Sequence, residues 1–184
     1  MGSISEVVKL IRSPVRADGD WGATWREWWD ATGFGHRTVK VYISSFRAYH
    51  TGLDLNHKSG IDLGRSVYAA ADGVVCFVGK VRGWRGGSVI VIEHEFGDTR
   101  LWTRYAHVDP AVNQGQVVSA GEVIAHIADY PPKGRIGDHL HFDVAVCNLC
   151  NNPGLWPGLD LERLQACFVD PVLFSMPESE SNDS

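Results

Sequence analysis

No apolar run in the chain exceeds five residues, as at Val74–Val78, so no segment offers the roughly 20 apolar residues of a membrane-spanning helix. Basic residues are also scarce: 17 Lys and Arg stand against 22 Asp and Glu, a net charge of −5. Glu178, Glu180 and Asp183, in the terminal PESESNDS, supply three of those charges and leave −2 for the remainder. Such a body lacks the broad positive field of a nucleic-acid binder. Residues 1–22 lack a basic stretch followed by a long apolar one and a small-residue cleavage site, so no secretory signal is expected in them. Common catalytic signatures are missing too. There is no GxSxG elbow, no P-loop lysine and no dinucleotide GxGxxG. HEFGD (94–98) begins like the helical zinc motif HExxH, but it ends in Asp98 and sits in a strand-and-turn context.

What is present suits one compact domain with extra arms. The 184 residues are 44% hydrophobic and 21% charged, and a chain of this length can bury roughly 68–70% of its unfolded surface. Short β-like runs separated by Gly, Asp and Pro predict an all-β sandwich or barrel-like sheet. They are 39–44, 66–70, 73–79, 88–94, 101–108, 116–118, 122–127 and 139–146. Helix signal is confined to TWREWWD (24–30) and DLERLQACF (160–168). The latter has Asp160 as its cap and is expected to pack Leu161, Leu164 and Phe168 on one side. The chain divides into a Trp-rich irregular arm (1–38), a domain at 39–176 with a Cys-containing insertion at 147–169, and a disordered acidic tail at 177–184. Tryptophans of the arm are expected to serve as hydrophobic cover for the sheet. Of the four cysteines, Cys76 lies in a strand-like run, while Cys147, Cys150 and Cys167 share one short segment. In an oxidising compartment Cys167 is expected to pair with Cys147 or Cys150; otherwise all remain reduced. CNLC (147–150) has zinc-knuckle spacing, but no histidine follows it, so a four-ligand zinc site cannot be completed there.

The remaining chemistry lies in histidines beside strands. HTGLD puts His50 four residues before Asp54, with Gly52 allowing a sharp turn between them. HLH puts His139 and His141 at i and i+2, so both rings leave the same face of a strand. RYAH puts His107 at the end of another run. Imidazole and carboxylate suit Zn²⁺, and three protein ligands leave a fourth position for water. Asp143, two residues after His141, could orient a ring or stand as a solvated strand residue. Trp84 is expected exposed beside a cleft and Trp102 in the core. His36, His57, His94 and His126 are assigned no role.

Taken together, HTGLDLN (50–56), VYAAADGVV (67–75), SVIVIEH (88–94), RYAHV (104–108), NQGQVVSAGEVIAHI (113–127) and HLHFDV (139–144) resemble the lysostaphin-like M23 family of zinc metallopeptidases. That resemblance implies a mostly β fold: an antiparallel sandwich or half-barrel of the lysostaphin-like (duplicated hybrid motif) type, with few short helices. It implies one Zn²⁺ held by His50, Asp54 and His141, with His107 and His139 as catalytic non-ligand histidines. It implies a zinc metalloendopeptidase that hydrolyses stem peptides or cross-bridges of bacterial peptidoglycan, acting outside the cell or in its wall. Two alternatives stand beside it: a zinc peptidase cutting another Gly-rich peptide, and a catalytically silent cell-wall-binding or regulatory module. The residues at 128–138 and the long connection from 147 to 169 depart from the family pattern, which leaves substrate choice open.

Overall fold

A computed structural model describes residues 4–36, 47–130 and 137–172. The expected strand at 39–44 and the acidic tail at 177–184 lie outside the described residues. Alternating side chains in SVIVIEHEF and TRLWTRYAHVDP make two long strands, β5 (Ser88–Phe96) and β6 (Thr99–Pro110), joined by a tight turn at Gly97. Around this hairpin an antiparallel sheet assembles from β1 (Trp28–Asp30), β2 (Leu53–His57), β3 (Ser66–Tyr68), β4 (Gly73–Gly79), β7 (Val117–Val118), β8 (Val123–Ile127), β9 (Leu140–Ala145) and β10 (Phe168–Val169). The order is β1-β2-β9-β6-β5-β4-β7, with β10 on β9 and β3 on β8. A mostly β fold with few helices is what the sequence led one to expect. Among the described residues, the α-helices are α1 (Ile4–Val8), α2 (Trp21–Glu27) and α3 (Leu161–Cys167).

β6 changes partner along its length. Trp102 to Ala106 pair with β9, whereas Val108 to Pro110 pair with β8. His107 stands at the junction and is the extra residue of a β-bulge, since Ser88 pairs with Val108 and Val89 with Ala106. Its backbone is left-handed, with φ 65°, a state that costs a non-glycine residue about 1–3 kcal/mol and clusters at functional sites. The bulge is therefore a device that re-aims the ring.

Both faces of the sheet are covered, which explains the near-continuous apolar character of β5. Ile90 and Ile92 join the larger core with Leu53, Tyr105 and Phe142. Val89 and Val91 face the other way, into a core completed by Leu149, Leu164 and Phe168 of the insertion. The N-terminal arm closes the first face: Trp21 and Trp25 stack at 5.7 Å and pack on the larger core, and the Trp21 indole donates to the Ile11 carbonyl. Asp20, whose carboxylate accepts from the Ala23 amide, starts α2 earlier than expected. The expected helix at 24–30 ends at Glu27, and Trp28–Asp30 instead pair with His57–Leu55 as β1. Sheet pairing and burial of Trp28 overrode the helical spacing of the tryptophans. α3 is capped by Asp160 as expected, but Leu161 is exposed, and Leu164 and Cys167 form its buried side.

The cysteines form two bridges. Cys147 joins Cys167, one of the two expected pairings, while Cys150 joins Cys76. Cys76 is the bulge residue of β4, since Val75 pairs with Ile92 and Phe77 with Val91. The insertion is thus tied to β4 as well as closed on itself. Non-reducing peptide mapping of oxidised protein is expected to return Cys76–Cys150 and Cys147–Cys167. A Cys76→Ser/Cys150→Ser variant is expected to lose about 2–5 kcal/mol in denaturant unfolding.

His94 is buried away from the histidine cluster. Its Nδ1–H donates to the Asp72 carbonyl at 2.8 Å, and its Nε2 lies 2.7 Å from the Thr103 hydroxyl. Thr103 in turn meets the Tyr105 hydroxyl, which accepts from the Ala70 amide. A second proton on His94 would place a positive charge in this buried network. Burial, the largest influence, accordingly pushes the His94 pKa down to about 4. The unfolded chain takes up this proton near pH 6.5, so the stability His94 contributes is complete above that value and is lost as pH falls toward 4. In urea melts across that window, His94→Gln is expected to show a shallower decline than wild type.

Candidate metal centre

The site begins with strand register. β2 lies antiparallel to β9 with Asp54 directly opposite His141. His50 reaches the same point from the turn before β2. A Cβ at Gly52 would collide with the Phe142 carbonyl, so only glycine lets this turn lie against β9. His50 Nε2, Asp54 Oδ1 and His141 Nδ1 form a triangle with sides of 3.0 Å, all three residues buried.

An outer partner fixes which atom each side chain offers. His50 Nδ1 lies 3.0 Å from the Gly33 carbonyl and donates to it, so Nε2 keeps its lone pair. The Thr32 hydroxyl donates to Asp54 Oδ2 at 2.6 Å and leaves Oδ1 free. His141 Nε2 lies 3.0 Å from Asp143 Oδ1, which leaves its Nδ1 facing inward. Three donor atoms converging at this distance call for a positive charge to join them, a metal ion or a shared proton. The 3.0 Å sides are close to the about 3.3–3.4 Å edges of a tetrahedron with 2.0–2.1 Å zinc–nitrogen bonds. The His₂Asp donor set is also one that zinc accepts, so the residues fit the metal.

The electrostatics agree. Burial alone would raise the Asp54 pKa, but His50, His139 and His141 hold the carboxyl well below its usual range. Burial likewise opposes charge on His141, yet Asp143 and then Asp54 push its pKa up to about 9. Two buried carboxylates therefore favour positive charge at this point.

His139 and His107 flank the triangle. The ring of His139 leaves the start of β9 on the same side as His141, with Nε2 3.6 Å from Asp54 Oδ1 and Nδ1–H donated to the Gly137 carbonyl at 2.8 Å. The His107 ring lies 4.7 Å from that of His139 and 6.2 Å from that of His141. Its Nδ1–H donates to the Arg85 carbonyl at 2.5 Å, and burial, with His139 and His141 adding to it, pushes its pKa down to about 3. All five residues singled out in the sequence are thus brought together. His57 and His94 lie elsewhere, and His126 is exposed.

Several neighbours escaped the sequence reading. Asp30, Thr32 and Gly33 belong to the arm, yet Asp30 Oδ1 gathers the amides of Gly33 and Asp54, at 3.1 and 2.9 Å. DATG (30–33) reads as an ordinary turn, and nothing in its spacing points to a site. Trp156, in the insertion, stands 5.8 Å from the His141 ring and 5.0 Å from Trp84. Trp84 is half-buried rather than exposed, because it packs on that ring, on His141 and on Arg104. Trp102 is buried, as expected.

An antiparallel sheet carrying a buried His₂Asp donor triangle defines the class: a metal-capable site on a β scaffold. Within that class the chain belongs to peptidase family M23, whose family model matches residues 48–153, more than half its length. A curated relative is the "DD-carboxypeptidase/endopeptidase Mpg" of Neisseria meningitidis serogroup B, 36% identical over 122 residues and 65% of this chain. The alignment spans about a quarter (25%) of that relative's length. Among solved structures, a zinc-containing peptidase from Vibrio cholerae is 30% identical over 73% of this chain and 36% of its own, with a TM-score of 0.50. The catalytic domain of the antimicrobial peptidase lysostaphin from Staphylococcus simulans shares the fold, at 22% identity and a TM-score of 0.52, over 79% of this chain and 98% of that one.

Thr32 lies outside the matched segment and offers a separate test. Thr32→Val keeps the shape of the side chain but removes the donor to Asp54 Oδ2. Its affinity for Zn²⁺, measured by competition with a chelating indicator, is expected to fall about 10–100-fold.

Proposed function

We propose that the chain is a zinc-dependent metalloendopeptidase that hydrolyses peptide bonds in the stem peptides or cross-bridges of bacterial peptidoglycan. The observation that carries this reading is the donor triangle of His50, Asp54 and His141 with two further buried imidazoles beside it. Membership of M23 and the relative named as a DD-carboxypeptidase/endopeptidase support the substrate class.

His50 Nε2, Asp54 Oδ1 and His141 Nδ1 would hold the metal. When bound, a zinc ion supplies Lewis acidity, making water a nucleophile near neutral pH and polarising a peptide carbonyl. The proton chemistry then falls to His107 and His139. Each gives its Nδ1–H to a backbone carbonyl, which leaves Nε2 as a proton acceptor. Between them the pair can take a proton from water and return one to the departing amine, or donate to the carbonyl oxygen as charge develops there. Tyr130 packs against both rings, at 4.7 and 5.2 Å. A silent wall-binding module would have no use for two such rings.

Purified protein is expected to hold about one Zn²⁺ per chain. Incubated with peptidoglycans of several chemotypes, it should generate new peptide termini, read by mass spectrometry, that vanish with chelator and return with zinc. His141→Ala should lose both metal and turnover. His139→Ala and His107→Asn should keep zinc and lose roughly 10²–10⁴ in rate; asparagine is chosen at 107 because it tolerates the left-handed backbone. His126→Ala is the control. Full activity in metal-free protein would sink the mechanism, and zinc loss from His139→Ala with retention by His141→Ala would reverse the two roles.

A further inference from the structure

Arg104 is fully buried, and the metal centre makes no direct use of it. It lies across the β6–β9 ladder from Asp143, and Nε donates to Asp143 Oδ2 at 2.5 Å. Nη1 donates to the carbonyls of Pro153 and Leu155, at 3.1 and 2.9 Å, and Nη2 to the Thr51 hydroxyl at 3.1 Å. Its Cζ sits 4.4 Å from the Trp84 ring centre and 6.0 Å from that of Trp156. Those two rings in turn face His141 at 5.0 and 5.8 Å.

We propose that Arg104 is a positioning residue that orients His141 through Asp143 and, with the same guanidinium, holds the disulfide-tied insertion as a wall of the substrate cleft. The inference rests on the proposed metal-dependent reading of the site. Asp143 is wholly buried, and a buried carboxylate keeps its charge and place only when paired and hydrogen-bonded. Arg104 pairs with and hydrogen-bonds Oδ2, and Oδ1 meets His141 Nε2 as an ion-pair contact at 3.0 Å, through which the constraint passes to the ring. Such outer partners set the orientation and basicity of a ligating imidazole. Of the rest of the fork, Nη1 is engaged by the insertion's carbonyls and Nη2 by the Thr51 hydroxyl. A planar guanidinium with five donors can serve all these directions together, whereas the compact ammonium of lysine can neutralise Asp143 but cannot also span to two carbonyls. The wall that carries Trp156 and the ligand His141 therefore share one cation.

The test measures zinc affinity by indicator competition, the visible absorption spectrum of Co²⁺-substituted protein, and kcat and KM separately on a peptidoglycan peptide. Arg104→Gln is expected to bind zinc about 10–100-fold more weakly, with an altered Co²⁺ spectrum. Arg104→Lys is expected to recover zinc affinity to within a few-fold of wild type while KM stays raised about several-fold, because the insertion is no longer held. Arg104→Gln alone strands Asp143 as an unpaired charge and costs stability. Asp143→Asn and the double variant Arg104→Gln/Asp143→Asn are therefore measured alongside, with folding checked by near-UV circular dichroism. If Arg104 acts through Asp143, the double variant binds zinc no more weakly than Asp143→Asn. Wild-type zinc affinity in Arg104→Gln, or an Arg104 effect that adds in full to that of Asp143→Asn, overturns the positioning role. A wild-type KM in Arg104→Lys overturns the link to the insertion. Wild-type protein that binds no zinc overturns the underlying reading and this inference with it, whereas zinc-binding, active wild type with insensitive Arg104 variants overturns this inference alone.

Discussion

The pairing of β2 with β9 in the register Asp54 opposite His141 is the constraint on which the rest of the site depends. A slip of one residue would send every side chain of β2 to the other face of the sheet, taking Asp54 away from His141 and Leu53 and Leu55 out of the core. The register is held from both sides. Leu53 and Leu55 are fully buried in the larger core, and Gly52 is pressed so close to Phe142 that no side chain fits between. Hydrophobic burial thus sets polar geometry. The free energy gained by covering Leu53, Leu55 and Phe142 holds the three donor atoms in place.

Around the triangle lies a shell drawn from three parts of the chain. The arm supplies the Gly33 carbonyl and the Thr32 hydroxyl, β9 supplies Asp143, and β6 supplies Arg104. Burying a pair such as Arg104 and Asp143 is of doubtful benefit to stability, since desolvation offsets much of the Coulomb attraction. Its value lies in direction: each charged atom has a partner that fixes where it points. The same economy of placement appears at His107, where a bulge and a left-handed backbone are tolerated at the point where β6 exchanges β9 for β8.

The insertion, which the sequence marks as a departure from its family, is part of the fold's second core rather than an appendage. Leu149, Leu164 and Phe168 cover Val89 and Val91, and the two bridges fasten the segment to β4 and to itself. Cys76 and Cys150 are 74 positions apart, and only the β4 bulge that turns Cys76 toward the insertion reveals them as partners. With the bridges closed, Trp156 is carried to the edge of the metal centre.

Much of this was legible in the residues themselves. Alternating apolar positions marked β4, β5, β6, β8 and β9, and Asp160 announced α3, because these signals are local and repeat at the period of the element. His50, Asp54, His107, His139 and His141 were visible beside strands, each weak on its own, and it was the resemblance to the M23 family that joined them into one set. Tertiary structure alone decided the rest. Trp28 left a helical spacing to become strand because a neighbour was there to pair with it, and Leu161 turned outward although the helix pattern allowed it inward. Thr32, Gly33 and Arg104 acquired their places only when the arm, β6 and β9 met. A hydroxyl, a carbonyl and a guanidinium carry no periodicity, and what each does is set by the atom that folding puts within three ångströms of it.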